Sequence, residues 1–327
     1  MHRTRGERLM EYSIGVDIGG TKIAMAIVDQ NGKVFYKNTY PTPNTTNLET
    51  MKLLNENVLN LIDIANQESM HLVSVGIGSA GQVDYENGKI LSGTVNIKDW
   101  NNVDIRGFLS QTTKLPIYVD NDANTFVIAE HQLGGGKNVN DIISITLGTG
   151  IGGGVVTGGK VLRGAWGGAA ELGHLTVKFD GPKCNCGSIG CIETYASGSG
   201  IANRMRERLQ NVTSEKFSYY KEHPEKLTSK EVFEWYEHDF SEAKEVINLA
   251  ITALAYGVVN VIHTFNPSTI IFGGGLAESN RWFITEVQKK VKEIGLSSLV
   301  KDVEIKVSEL GYDAGLIGAA YQVWADK

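Results

Sequence analysis

The chain is poor in the features that most quickly narrow a protein's class. Its 327 residues include only three cysteines, all between Cys184 and Cys191. An odd number packed so closely makes a poor disulfide framework, and a chain of this length buries enough surface to fold without staples. No apolar run approaches the roughly 18 residues of a membrane span, and the first dozen residues lack the apolar core of a signal peptide. That basic opening stretch is read as a frayed terminus. Net charge is -6 and no long Lys/Arg block exists, which argues against a surface that tracks nucleic-acid phosphates. Low-complexity segments and Pro/Ser-rich linkers are missing too, so the two domains expected from the length should be closely joined. These absences leave a cytoplasmic protein acting on small molecules, with neither a membrane nor a nucleic acid as partner.

What is present begins with YSIGVDIGGTKIAMAIVDQNGKVFYKNTY, which reads as strand, Gly-rich turn, strand, then an Asn31-Gly32 turn into a third strand. Helical spacing follows from about Leu48 to Asn66, then a buried strand in HLVSVGIGSAG, a helix near Asp104 to Thr113 and a strand at Pro116 to Val119. A mixed sheet with crossover helices fits this order. After a helix from Ala123 to Leu133, the strand IISITLGTG, a Gly-rich turn and the strand GGGVVTGGKVL echo the opening segment. Two such halves facing each other would set two Gly-rich turns across a shared cleft. From Ser197 to about Ile294 the chain is mostly helical, broken at His223-Pro224 and Asn266-Pro267 and interrupted by the strand TIIFGGG. The expected division is 1–120 and 121–312, with a small-residue helix at about 313–327 packing back on the first domain.

Three strand-end glycine clusters carry the chemistry. In Asp17-Ile18-Gly19-Gly20-Thr21-Lys22, absent Cβ atoms let backbone N–H groups approach a phosphate, and Asp17 could hold Mg²⁺ through water. One such turn alone is equally a tight β-turn. Gly148-Thr149-Gly150 and Gly273-Gly274-Gly275 repeat the pattern after two further strands, which suits a clamped nucleotide such as ATP. Neither a Walker loop nor a dinucleotide fingerprint entering a helix from the first strand is present. Asp120-Asn121-Asp122 then ends a strand where α/β proteins bind ligands. Phosphoryl transfer to an alcohol needs a carboxylate to take the hydroxyl proton, and Asp122 is the candidate, with helix N-capping as its other possible use. His174, Cys184, Cys186 and Cys191 have the spacing and tight turns of a closed tetrahedral zinc site. Glu171 and Glu193 flank that cluster as solvated charges or as acceptors for polyol hydroxyls.

In this order GVDIGGTK, GIGSAGQVD, DNDAN, LGTGIGGG, ELGH, CNCGSIGCIE and FGGG resemble the successive motifs of the ROK family of sugar kinases and related repressors, over essentially the whole chain. The resemblance implies a two-domain actin-like α/β fold of the ribonuclease H type with a structural zinc module, and ATP-dependent phosphorylation of a hexose 6-hydroxyl. It implies Asp122 as general base, sugar contacts from Gly81, Asn96, Asn121, Glu171, His174 and Glu193, Mg²⁺ with ATP, and a homodimer or higher homo-oligomer. Ala80 replaces a proline usual in glucose-phosphorylating members, while NIKDWNNVDIR, AAELGHLTVKFDGPKCNCGSIGC and GVVNVIHTFNPS look closer to the N-acetylmannosamine kinases. Thr94-Val95-Asn96 is shared with glucokinase-like members. N-acetylmannosamine is therefore the expected substrate and glucose the alternative. A repressor would need a DNA-binding segment for which Asp17 comes too early.

Overall fold

The structure is a computed structural model that describes residues 9–94 and 96–325. The basic opening stretch before residue 9, Val95 and the last two residues of the expected C-terminal helix lie outside the described residues. The chain opens with the meander β1 (Glu11–Ile18), β2 (Lys22–Asp29) and β3 (Val34–Pro41), then α1 (Asn47–Gln67) and β4 (His71–Ser79). Short strands β5 (Gln82–Asp84), β6 (Lys89–Ser92) and β7 (Val103–Asp104) lead to α2 (Ile105–Leu109), β8 (Ile117–Asn121) and α3 (Asp122–Gln132). Next come β9 (Ile142–Leu147), β10 (Ile151–Thr157) and β11 (Lys160–Val161), followed by α4 (Glu193–Ala196), α5 (Gly198–Leu209), α6 (Ser218–Glu222), α7 (Ser229–Glu237) and α8 (Ser241–Phe265). The chain closes with β12 (Thr269–Gly273), α9 (Gly275–Ser279), α10 (Arg281–Ile294), α11 (Ser297–Val300), β13 (Glu304–Val307) and α12 (Ala314–Ala325).

Two five-stranded mixed sheets result, ordered β3-β2-β1-β4-β8 and β11-β10-β9-β12-β13. In each, a hairpin supplies the antiparallel pair and two later strands add in parallel, β1 to β4 to β8 and β9 to β12 to β13. The echo between the two Gly-rich strand pairs is thus a repeat of topology. A third sheet, β5-β6-β7, fills the stretch between β4 and α2, where no strand is expected from the residue pattern. The helix expected over 104–113 is only five residues long. Gly107 lowers its propensity, and the Thr112 hydroxyl turns back onto the Leu109 carbonyl at 3.1 Å.

The chain divides into two compact units. The first holds the chain through Asn138, the arm Gly159–Ala169 and everything from Tyr312; the second holds Val139–Gly158 and Ala170–Gly311. The expected boundary at 120 therefore lies inside the first unit, because α3 packs on α12 and β4 of the same unit. Its core joins Ile14, Val16, Val75, Ile77 and Val119 of the sheet to Met51, Leu54, Val58 and Leu61 on one face of α1. On the opposite face α12 lies almost in backbone contact. A Cβ on Gly76 would stand 1.8 Å from the Ala319 carbonyl oxygen, and one on Gly318 would stand 1.7 Å from that of Thr125. The small residues of α12 are what permit this approach.

In the second unit α8 is the central helix, 25 residues long and apolar enough by length and composition to cross a membrane. The expectation that no such run exists is corrected here. Its apolar residues Val246, Ile247, Ile251, Leu254, Val258 and Ile262 are buried within the unit, against α5, α7 and α10. Asn266 ends it in a left-handed conformation, φ +46°, just before Pro267.

Candidate active site

The first unit gathers its polar residues at the carboxyl ends of β1, β4 and β8. Gly19 N–H closes the β1–β2 turn on the Lys22 carbonyl at 3.0 Å, and the Thr42 hydroxyl holds the Gly19 carbonyl at 2.7 Å. A Cβ on Gly20 would come within 2.5 Å of the Asn96 Cβ, so that glycine is what admits the exposed Asn96 beside the turn. Gly81 follows β4 with φ +106°, and its carbonyl accepts from Asn121 Nδ2 at 2.9 Å. Asp17, Gly20, Gly81, Asn96, Asn121 and Asp122 are thereby brought into one neighbourhood.

The division of labour at the end of β8 differs from expectation. Asn121, not Asp122, caps α3: its Oδ1 accepts from Ala123 N–H at 2.8 Å and Asn124 N–H at 3.4 Å. Asp122 is the first helical residue, with its carboxylate 2.9 Å from the Ala123 N–H. Burial pushes its carboxyl above the ordinary aspartate value, against backbone donors and the Asn121 side chain that pull it down. A carboxylate shifted toward neutrality is a better proton acceptor near physiological pH. Asp17 is also pushed up, to about 6, mainly by burial, next by the charge of Asp122; Lys22 opposes the shift, Asp313 adds to it and Lys37 opposes it. Two partly buried carboxylates in one field form a place where a cation would be welcome.

The second unit carries the other glycine turns. Gly148 N–H bonds the Gly150 carbonyl at 3.0 Å, and α5 begins against the same turn through Gly198 N–H to the Gly148 carbonyl at 2.8 Å. Gly274, φ +84°, presses on the end of β9, where a Cβ would stand 2.5 Å from the Leu147 carbonyl oxygen. Gly148, Thr149 and Gly275 border a cavity of about 700 Å³ whose walls include Ser199, Arg206, Leu227, Lys230 and Phe233. A Cβ on Gly148 would meet nothing within 4 Å, so the turn there is open toward the cavity. Sequence reasoning missed these walls, since 198–230 shows only ordinary helical spacing.

Glu193 Oε2 accepts from Ile151 N–H at 2.8 Å, which ties the Gly-rich turn to the start of α4. The short 3₁₀ turn Leu172–His174 packs on the same strand: a Cβ on Gly173 would stand 2.3 Å from the Ile151 carbonyl oxygen. Glu171 is exposed just before that turn, after Ala170 at φ +66°. The donor atoms of His174, Cys184, Cys186 and Cys191 all lie within 4.8 Å of one another. His174 Nδ1 is 3.5 Å from Cys184 Sγ, and Cys186 Sγ is 3.7 Å from Cys191 Sγ. A tetrahedron with arms of about 2.3 Å has edges of about 3.8 Å, so the four donors fit a zinc ion with no position left over. Gly187 and Gly190, both at positive φ, shape the loop that folds the thiols together.

The chain matches the model of the ROK family over residues 13–326 and belongs to that family. Its α/β architecture with mixed sheets is the ROK sugar kinase fold. The chain is 37% identical over 308 residues to a glucokinase of Thermotoga maritima, which covers 94% of this chain and 95% of that one. A crystal structure of a ROK family glucokinase from Streptomyces griseus, in complex with glucose and AMPPNP, is 33% identical with a TM-score of 0.78, covering 94% of this chain and 98% of the other. A putative N-acetylmannosamine kinase from Listeria monocytogenes shares the fold, with a TM-score of 0.75 at 24% identity over 96% of this chain and 98% of its own.

The Asp17 shift has a thermodynamic consequence with a definite sign. A carboxyl with its folded value at about 6 against 3.8 unfolded costs stability as pH rises through that window and keeps costing it above, on the order of 2–3 kcal/mol. Asp17→Asn is expected to raise the melting temperature at pH 7.5 and to leave it nearly unchanged at pH 3, below both the folded and the unfolded value. Scanning calorimetry at both values checks this; a variant that melts lower at pH 7.5 contradicts it.

Proposed function

We propose that this chain is an ATP-dependent hexose kinase that moves the γ-phosphoryl group of MgATP onto a sugar 6-hydroxyl, with glucose as the favoured acceptor. The observation that carries the reading is Asp122: a partly buried carboxylate with a raised proton affinity, at a strand end, in a chain whose helix cap is supplied by its neighbour Asn121. It would accept the proton of the attacking hydroxyl. Gly81, Asn96, Asn121, Glu171, His174 and Glu193 would contact the sugar. The turns Gly19-Gly20-Thr21-Lys22, Gly148-Thr149-Gly150 and Gly273-Gly274-Gly275 would contact ATP, and Asp17 would hold Mg²⁺ through water, where the cation also offsets the burial of its carboxylate. Once the attacking oxygen and the phosphoryl group are in line, little covalent help is needed; charge on the phosphoryl oxygens has to be spread over backbone N–H groups and the metal.

N-acetylmannosamine gives way to glucose as the favoured substrate. Relatives named glucokinase stand at 33–37% identity over nearly the whole chain, whereas the structure carrying the mannosamine name supports a common fold alone. Initial rates of ATP consumption on a panel of hexoses and N-acetylhexosamines are expected to give the highest kcat/KM with glucose. A preference for N-acetylmannosamine would return the substrate to the earlier expectation, and no turnover with any sugar would overturn the kinase reading.

His174, Cys184, Cys186 and Cys191 would hold one zinc ion in a closed, structural role, with no open coordination position for chemistry. Binding of this kind can contribute roughly 10 to 16 kcal/mol to a small module. Elemental analysis of protein purified without added metal is expected to return about one zinc per chain, and a folded, active, metal-free protein would contradict it.

A further inference from the structure

Behind the strand end that carries Asp122 lies a buried network that ties the DNDAN segment to an arginine outside every motif named above. Asp120 is fully buried. Its Oδ1 accepts from Asn121 N–H and from Asn124 Nδ2, both at 2.8 Å, and its Oδ2 accepts from Arg163 Nε at 2.8 Å. The Arg163 side chain is 14% exposed, and its guanidinium lies 3.9 Å over the Tyr85 ring. Tyr85 in turn belongs to a turn fixed by a second arginine. Arg106 donates through Nη2 to the Tyr85 carbonyl at 3.0 Å, through Nη1 to the Glu86 carbonyl at 2.5 Å and through Nε to the Ile117 carbonyl at 2.9 Å. Ile117 opens β8 and Asp120 nearly closes it, so the two arginines pin both ends of one strand.

The arm that delivers Arg163 is shaped for the purpose. Gly167 N–H and Ala169 N–H both donate to the Arg163 carbonyl, at 3.1 and 3.2 Å. Gly167, φ +115°, lets the arm touch the middle of β5, where a Cβ would stand 2.1 Å from the Val83 carbonyl oxygen. A buried ion pair is a poor means of adding stability, because desolvation offsets most of its attraction. Asn124 Oδ1 is moreover buried there without a hydrogen-bond donor, which costs roughly 1–3 kcal/mol. Such a network is better explained by the geometry it enforces than by the stability it adds.

We propose that Arg163 is a positioning residue for phosphoryl transfer: by clamping Asp120 against the Asn121 peptide and Asn124 it fixes the strand-to-helix junction that aims the Asp122 carboxylate. The inference rests on the reading of Asp122 as the proton acceptor. In this role Arg163 acts through Asp120 rather than through a contact with substrate. A misplacement of about 1 Å at a reacting group can cost about 10²-fold in rate, so the effect should fall on kcat.

The test compares wild type with Arg163→Met, Arg163→Lys and the double variant Asp120→Asn/Arg163→Met. Each is assayed for kcat and KM with glucose and MgATP, and for melting temperature. Arg163→Met leaves a buried carboxylate without its cation and is expected to melt lower and to lose about 10-fold or more in kcat, with KM for glucose within about 3-fold of wild type. Arg163→Lys, which keeps the charge without the planar fork, should fall between. In the double variant the unpaired charge is gone, so the melting temperature should recover while kcat stays low. Recovery of kcat together with melting temperature would reduce Arg163 to a stabilising role and overturn the proposal, as would a wild-type kcat in Arg163→Met. Should Arg163→Met fail to fold, the double variant and Arg163→Lys decide the matter by the same criterion. A wild-type protein without turnover on any sugar would overturn the kinase reading and this inference with it, whereas an active wild type beside an unimpaired Arg163→Met overturns this inference alone.

Discussion

The amide of Asn121 is the contact on which the first unit's chemistry depends. One side chain caps α3 with its oxygen and holds the Gly81 carbonyl with its nitrogen, so a helix start, a strand end and a glycine turn share a single fixed point. Because Asn121 satisfies the first N–H groups of the helix, Asp122 is released from the use to which an aspartate before a helix is most often put. Its carboxylate then meets the Ala123 N–H along with its own N–H and the Asn121 side chain, and burial outweighs these donors in raising its proton affinity.

The second unit applies the same principle with different parts. Glu193 bonds the Ile151 N–H, and the glycines at 150 and 173 close in on Glu193 and Ile151. The Gly-rich turn, the ELGH turn and the start of α4 thereby converge on the first residue of β10. The cysteine loop adds a second constraint on the chain just before α4, through Ile192 N–H to the Leu175 carbonyl at 3.0 Å. Loss of the Cys/His cluster would therefore be felt at Glu193 as well as in the loop itself.

Much of this was legible from residue types because the requirements are local. Gly20, Gly81 and Gly274 sit where a Cβ would collide or a positive φ is needed, and turns of that kind leave glycines at fixed places. The cysteine spacing is likewise local, and the repeated strand–turn–strand pattern foretold two sheets of one topology. Less legible were features made by distant pairing. The sheet β5-β6-β7 draws on strands of two to four residues, too short for alternation to register. Arg163 looks like any loop arginine until Asp120 and Tyr85 are seen beside it. The apolar run of α8 was overlooked because charges near its start mask how far the buried face extends. As for Asp122, whether it or Asn121 caps the helix turns on one residue of register, and propensity favours both residues about equally.

Substituting Asp122 by Asn tests the central claim most directly, since it removes the charge while leaving the shape of the side chain and the Asn121 cap in place. Steady-state kinetics with glucose and MgATP should show kcat reduced by about 10² to 10⁴-fold, with glucose affinity by calorimetry and melting temperature close to wild type. Turnover near the wild-type rate would remove Asp122 from the chemistry, and the account of this site built around it would fail.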